Sequence, residues 1–365
     1  MMKRVLSLLA LLSILMAPLL WWWLSRPAPP IPVAVVAKLT YGAVVGSSEM
    51  NTAELYLEEH PQSRIQLLRV YEECNRPEAT VPLIEEAMGK GARFFITTHP
   101  SKCAVASMHL FADSRALVIN AASTSPVLTG KDDFLLRIIP DAVQEQRAIA
   151  REVGRLPGNR LLVLLDESNR PYTEPAFAAF AAEFSAQGRW QIVHRTLMVS
   201  EFKPEDYRSL MVEPFDALYI LAGTFQTAIG NIAQLFHYLH PEAPILLTPW
   251  ARSPDILESA GDAIDRIIMP SLYAPRHQDQ ALDAFLRKFR ARFDYEPHAM
   301  IIGVRQALEL LDQAFALGYD TPAAVKGYLL SVPSHQTSLG PLAFDRYGDL
   351  GGDFHFIRNL RKELQ

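Results

Sequence analysis

Residues 116 to 129 read A-L-V-I-N-A-A-S-T-S-P-V-L-T. Ala116 to Asn120 is a short apolar run without polar alternation, the pattern of a parallel strand covered on both faces. Directly after it, Ala121 to Pro126 is small, rich in hydroxyls and set beside a helix start. A buried strand ending in such a loop belongs in an open α/β sheet, where ligands sit against the carboxyl ends of strands and the N-termini of helices.

The pattern recurs along the chain. Apolar runs at Val33 to Ala37, Ile65 to Val70, Phe94 to Thr98, Leu161 to Asp166, Gln191 to Leu197, Ala217 to Ala222, Ile245 to Thr248 and Ile267 to Met269 alternate with stretches of helical period. These stretches include Ser47 to Glu59, Glu78 to Met88, Gln144 to Val153, Glu174 to Phe184 and Phe225 to Leu239. The alternation predicts the α/β class with doubly wound parallel sheets. At 365 residues the chain exceeds the size at which one core stops growing, so two sheets are expected rather than one. Breaks fall near Ile139-Pro140-Asp141 and across Pro270 to Pro275, followed by helices over Gln278 to Phe293, Met300 to Gly318 and Thr321 to Leu330. Gly340 to Asp345 and Phe354 to Ile357, about a Gly/Asp-rich turn, read as a pair of short strands.

The composition is globular, 49% hydrophobic and 21% charged, with a net charge of -5 and no run of basic residues. That excludes the electrostatic footprint of a nucleic-acid binder. The N-terminus points to a membrane. After Lys3-Arg4, the uncharged stretch Val5 to Leu24 closes on Trp21-Trp22-Trp23. Twenty helical residues rise about 30 Å, the thickness of a bilayer's hydrocarbon core. The cations favour an N-in orientation and the indoles the far interface. Residues 1–24 are therefore expected to be a signal anchor or a cleaved signal peptide, the bulky flank favouring the anchor and a buried core helix being the plain alternative. The Pro-rich segment 25–32 is expected to be a stalk. The body would then lie outside the cytoplasm.

Catalytic signatures are missing: no phosphate loop, dinucleotide fingerprint, nucleophile elbow, H-E-x-x-H or C-x-x-C occurs. No enzyme, metal site or cofactor is expected. His237 and His240 lack a third ligand and read as a solvated face. Glu72-Glu73 and Asp132-Asp133 read as solvated charge, because adjacent strand residues point to opposite faces. Cys74 and Cys103 follow the strands that end near Tyr71 and Thr98, which are expected to be neighbours. A disulfide between them is expected in an oxidising compartment, with two buried thiols as the alternative.

Strand ends carry the candidate site residues. His99-Pro100-Ser101-Lys102-Cys103 and Ala121 to Pro126 offer hydroxyls and backbone N–H groups, the means of holding a carboxylate without a metal. The plain reading makes Ser101 and Thr124 helix caps and Trp250 core. Asp166 to Tyr172 and Thr248-Pro249-Trp250 occupy equivalent places further on.

In these segments the sequence resembles the periplasmic substrate-binding proteins of the leucine/isoleucine/valine-binding type, the bilobed ligand-binding family of ABC importers. The resemblance runs in order over residues 31 to 360: I-P-V-A-V-V-A at 31 to 37, V-Y-E-E-C-N-R-P-E-A at 70 to 79, F-F-I-T-T-H-P-S at 94 to 101, V-I-N-A-A-S-T-S-P-V-L-T at 118 to 129, L-L-R-I-I-P-D at 135 to 141 and L-G-P-L-A-F-D-R-Y-G-D-L at 339 to 350. It implies the type 1 periplasmic binding fold, with two doubly wound lobes joined by three chain crossings and one small ligand enclosed between them. Lobe 1 is expected over 33–140 and 272–344, and lobe 2 over 141–271 and 345–365. Carried over by position, Ser101, Ala122 and Thr124 hold a carboxylate in lobe 1 and Tyr172 closes from lobe 2. Thr224 stands where the family often has an aromatic residue. The loop Lys38 to Ala43 is shorter than the family's usual cleft-covering segment, and Cys74 and Cys103 lie near a disulfide of some relatives.

Trp250 stands where amino-acid binders of the family place an acid for the ligand's ammonium. Burying that ammonium without an anion costs several kcal/mol, whereas an indole packs on an apolar or aromatic group. The expected ligand is an aromatic or aliphatic carboxylate, with an amino acid second. The resemblance implies a periplasmic solute-binding protein, anchored to the inner membrane by residues 5–24, that serves an ABC permease. A tethered ligand-sensing module coupled to a signalling partner is the rival.

Overall fold

The computed structural model describes residues 28–38, 44–72, 76–186, 188–223, 226–253 and 255–364. The expected anchor, the short loop 39–43, Cys74 and Thr224 lie outside the described residues. Among the described residues no helix is long and apolar enough to cross a membrane.

Strand β1 (Ile31–Lys38) sets the logic of the first sheet. Val33, Val35 and Ala37 face one core, and Ala34 and Val36 face another, so the strand is apolar throughout because both faces are covered. The chain continues through α1 (Val44–Glu59), β2 (Ile65–Glu72), α2 (Pro77–Gly89), β3 (Phe94–Thr97), α3 (Ser101–Ser107), β4 (Leu117–Asn120) and β5 (Leu135–Arg137). The sheet order is β2-β1-β3-β4-β5, all parallel. The order reverses between β1 and β3, and such a switch point opens a crevice at the carboxyl edge.

The second sheet starts after α4 (Ala142–Gly154), whose N-cap Asp141 accepts from the Gln144 amide. It takes in β6 (Arg160–Asp166), α5 (Arg170–Ser185), β7 (Gln191–Leu197), α6 (Pro204–Met211), β8 (Ala217–Leu221), α7 (Thr227–Leu239), β9 (Ile245–Leu247), α8 (Ile256–Ser259) and β10 (Ile267–Ser271). Leu162, Leu164, Leu218 and Ile220 enter the core beneath α7, while Leu161, Val163, Ala217 and Tyr219 enter the one beneath α4 and α5. Each fully buried Leu, Val or Ile among them contributes about 1.5–3 kcal/mol.

The chain then returns to the first sheet. α9 (Gln280–Phe293), α10 (Ile301–Ala316) and α11 (Pro322–Ser331) follow, and Val304, Leu308 and Leu311 of α10 pack with Val33 and Ile96. The end of the chain departs from the predicted pair. β12 (Gly340–Leu342) pairs with β11 (His335–Thr337), a strand the sequence reading omits, while β13 (His355–Ile357) runs antiparallel to β10 in the other sheet, ahead of α12 (Leu360–Leu364). The chain thus passes between the sheets after β5, after β10 and after β12.

The last passage is pinned. Arg137, buried at the end of β5, donates to Asp349 Oδ1 at 2.8 and 2.6 Å, to Thr129 Oγ1 at 2.7 Å and to the Ser125 carbonyl at 3.2 Å. Asp349 Oδ2 accepts from the Gly130 amide at 2.7 Å. The G-P-L-A-F-D-R-Y-G-D-L segment therefore does structural work, holding the β4–β5 loop from behind. Its turn needs Gly348 at φ 88°, where a Cβ would also meet Leu136 Cγ at 2.8 Å.

Candidate functional site

The carboxyl edge of the first sheet brings Ser101 and the loop Ala121 to Ser125 together. Ser101 Oγ accepts from the Ser125 amide at 3.2 Å, and the Ser123 hydroxyl donates to the His99 carbonyl at 2.6 Å. Asn120 Oδ1 accepts from the amides of Ala122 at 2.9 Å and Ser123 at 2.7 Å. Ser101, Ala122 and Thr124 are all buried. The Ala122 amide is therefore already engaged, and the hydroxyls of Ser101 and Thr124 are donors this edge offers a carboxylate. Ser125 joins them: its Oγ is buried and has no hydrogen-bond partner among the described residues. The expected helix starts are short: α3 is seven residues long, and the loop ends in a 3-10 turn at Pro126–Leu128. Ser101 is not a helix cap, since the N-cap position belongs to Pro100. Behind the loop, a Cβ on Gly303 would meet Ala121 Cβ at 2.6 Å, so glycine lets α10 approach it closely.

A second polar group lies beside this loop. Glu72, read from sequence as solvated, is buried: its Oε2 accepts from Thr80 at 3.0 Å and its Oε1 lies 3.3 Å from His99 Nδ1. Glu49, on the first turns of α1, is buried and accepts from the Lys38 amide at 3.1 Å. Burial pushes its carboxyl up to about 7, with Lys38 pulling it back. Burial, the largest single cause, raises Glu72 too, but the His99 charge and hydrogen bond, the Thr80 hydroxyl and Lys38 together outweigh it and hold the carboxyl below the usual range. β1 lies between β2 and β3, so the strands preceding Cys74 and Cys103 are not neighbours as expected. Cys103 is buried, and Cys74 lies outside the described residues.

In the second sheet, buried Asp166 gathers the strand ends. It accepts from the Ser168 amide at 3.3 Å, the Val199 amide at 3.2 Å, Gln226 Nε2 at 3.1 Å and the Ser168 hydroxyl. Tyr172 and Trp250 meet edge to face, with centroids 6.4 Å apart at 86°. Both are tied to Glu145, a residue the sequence reading did not single out. The Tyr172 hydroxyl donates to Glu145 Oε1 at 2.5 Å, Gln146 Nε2 donates to the same oxygen at 2.8 Å, and the Trp250 side chain hydrogen-bonds the carboxyl as well. Burial pushes Glu145 up to about 7 against those bonds. An acid thus stands beside Trp250 after all, supplied by α4.

The two edges meet. The Lys102 amide donates to Asn169 Oδ1 at 3.3 Å and its ammonium to the Ser168 carbonyl at 3.1 Å. Asn169 in turn lies so close to Gly223 that a Cβ there would meet its Nδ2 at 2.6 Å. Ala122 of the first edge shares a core cluster with Trp250 and Tyr172 of the second. His298, between the edges, is pushed down to about 3 by burial and by the charges of Lys38 and Arg252 and stays neutral. His237 and His240 take no part in this site. Among the described residues no cluster of His, Cys, Asp and Glu is arranged to hold a metal.

No protein-family model and no curated protein matches the sequence. Solved structures do match the fold. The leucine-binding protein of Thermotoga maritima superposes with a TM-score of 0.77 at 18% identity, over 90% of this chain and 96% of that one. A solute-binding protein of an ABC transporter from Rhodopseudomonas palustris, in complex with 3,4-dihydroxybenzoic acid, gives 0.78 at 17% identity, over 90% and 92%. The substrate-binding protein of a branched-chain amino acid transporter from Streptococcus pneumoniae, in complex with isoleucine, gives 0.76 at 16% identity, over 91% and 97%. The chain has the type 1 periplasmic binding fold shared by these solute-binding proteins.

Proposed function

We propose that the protein is an extracytoplasmic solute-binding protein. It encloses a small organic acid between lobe 1 (33–140 and 272–344) and lobe 2 (141–271 and 345–365), and presents it to an ABC-type importer. The observation that carries this reading is the gathering of Ser101, Thr124 and Ser125 in one buried edge that faces Trp250 and Tyr172 across the sheet-to-sheet junction. Hydroxyls on one wall suit a carboxylate, and an edge-to-face aromatic pair on the other suits an apolar or aromatic body. The neighbours' ligands, an aromatic acid and an amino acid, support the same size class. The uncharged stretch Val5 to Leu24 supports export and retention at the inner membrane.

Glu145 bears on the choice between acid classes. It supplies the anion that Trp250 lacks, but Tyr172, Gln146 and Trp250 already occupy it. Aromatic and aliphatic acids are therefore the first class, ahead of amino acids. The test is a thermal-shift screen of the full-length chain against benzoates, short aliphatic acids and free amino acids. A ligand at about 100 times its Kd stabilises by roughly 2.7 kcal/mol. Ser101→Ala and Thr124→Val should each weaken a positive ligand about tenfold. Binding unchanged in both variants would remove this edge from the site.

A further inference from the structure

The first sheet has a second end, away from the ligand edge. Its amino edge gathers Ile31, Arg64, Phe94 and Phe315: the Ile31 amide donates to the Arg64 carbonyl at 2.7 Å, and the Phe94 and Phe315 rings meet edge to face. α10 runs from the ligand edge, where Gly303 lies against Ala121, to this one, so its 16 residues hold the two ends about 24 Å apart. Just past α10 the chain turns through Gly318 at φ 87°, with the Gly318 and Tyr319 amides donating to the Phe315 and Ala314 carbonyls. This helix cap holds Leu317 and Tyr319 outward: the two are 62% and 40% exposed, and the Tyr319 ring stacks on Tyr328 at 5.1 Å. Single exposed apolar side chains are ordinary, but these two stand together where the N-terminal segment enters the body. Arg64 ties them to it, its Nε donating to the Pro29 carbonyl at 3.2 Å and its two terminal nitrogens to the Phe315 carbonyl and to Asp320, each at 3.3 Å.

We propose that this pole of lobe 1, with Leu317 and Tyr319 at its tip, rests on the lipid headgroup layer of the membrane that holds the protein. The inference rests on the reading of Val5 to Leu24 as an inner-membrane anchor given above. From Leu24 to Pro29 there are five residue steps, which span at most about 18 Å however they run. The headgroup layer takes up about 5–7 Å of that reach, so Pro29 stays within about 13 Å of the bilayer surface. The residue types fit that layer, since tyrosine prefers it and a leucine side chain gains by burial at its inner boundary. The charges nearby cancel: Arg64 pairs with Asp320 and, on the turn whose Gly91 faces Pro32, Lys90 pairs with Glu86. The contact is therefore apolar and does not require anionic lipid. It sets the ligand edge about 24 Å farther from the membrane, where the cleft faces free solute.

The experiment uses the full-length chain in phosphatidylcholine vesicles, with an environment-sensitive dye on one introduced cysteine: Leu317→Cys, Tyr319→Cys or, as the distant reference, Tyr238→Cys near the end of α7 in the second sheet's layer. Cys74→Ser removes a competing thiol, and Cys103 is buried. Flotation first tells whether the vesicles hold the chain. In floated vesicles the dye at position 317 or 319 should be quenched by bromolipid and lose its quenching by aqueous iodide, while the dye at position 238 keeps it. Adding Leu317→Asp to Tyr319→Cys should restore iodide access, and high salt should not. Iodide quenching alike at all three positions overturns the membrane contact and leaves the anchor standing. Shielding from iodide without bromolipid quenching also overturns it, in favour of a protein cover such as a second copy of the chain. A chain that fails to float overturns the anchor and the contact together.

Discussion

The edge of the second sheet closes on itself. Asp166 accepts from Ser168, Val199 and Gln226, and Glu145 accepts from Tyr172 and Gln146, so its acids are spent on organising their own wall. The edge of the first sheet does not close. It buries Glu49, Glu72, Thr97, Thr98, His99 and Ser125; Thr98 bonds Glu49 and His99 pairs with Glu72, while the hydroxyls of Thr97 and Ser125 have no hydrogen-bond partner among the described residues. On the second edge only Gln226 Oε1 shares that condition among the described residues. A satisfied wall is preorganised and can meet a ligand through shape and aromatic contact. An unsatisfied one gains most from what it binds, because each new hydrogen bond removes a desolvation cost already incurred.

The contrast depends on the first edge staying rigid although its own polar groups are not all used. Rigidity comes from behind, through Arg137 and Asp349. Breaking a buried pair leaves one charge stranded, so Asp349→Ala should cost about 3–5 kcal/mol in urea unfolding. A loss below about 1 kcal/mol would mean that the loop holds its own shape and that the closing segment is dispensable.

A pH series probes both edges at once. Glu49 and Glu145 are raised by burial from 4.5 to about 7. Between those values the folded state binds more protons than the unfolded one. The stability each group contributes is therefore fully present at low pH and is lost as pH rises to about 7, by on the order of 3 kcal/mol at most. Glu145→Gln and Glu49→Gln should each flatten that fall in unfolding midpoints. A fall that persists undiminished in either variant would remove that acid as its source.

The smallest effect concerns the contact between the edges. Lys102→Met removes the ammonium's bond to the Ser168 carbonyl, worth about 1 kcal/mol. The ligand-free radius of gyration in X-ray scattering should rise slightly as the sheets separate more often. An unchanged radius would leave Lys102 as a surface contact without influence on closure.

Much of this arrangement is legible in the chain. β1, β3, β4, β6 and β8 announce themselves because a strand covered on both faces has no room for polar alternation. The segments that hold Ser101 and Thr124 were marked by address, since the carboxyl end of a parallel strand is where an open sheet exposes its crevice, and the ligand role expected of both residues came from the family resemblance. Other features were hidden. Glu49 sits among Ser48, Met50 and Ala53 and Glu145 among Ala142, Gln146 and Ile149, all buried. Their one local sign is a carboxylate on the inward side of a helix, which a linear reading assigns to solvent. Glu72 read as solvated because adjacent strand residues point to opposite faces, so Glu72 and Glu73 could not form one acid/base pair. β13 looked like the partner of β12 because sequence proximity favours hairpins, yet it was drawn to the open edge of β10.

By itself the sequence determined the α/β class, the division into two sheets, and the strand ends at which a ligand site belongs. The class and the strand ends follow from short-range apolar periodicity, which does not depend on distant partners, and the division follows from chain length. Tertiary structure alone decided that β1 separates β2 from β3, that Arg137 meets Asp349 across 212 residues, and which partner each buried acid finds. Whether a buried polar atom has a partner depends on which groups lie within about 3 Å, and that is a property of folded geometry rather than of residue order.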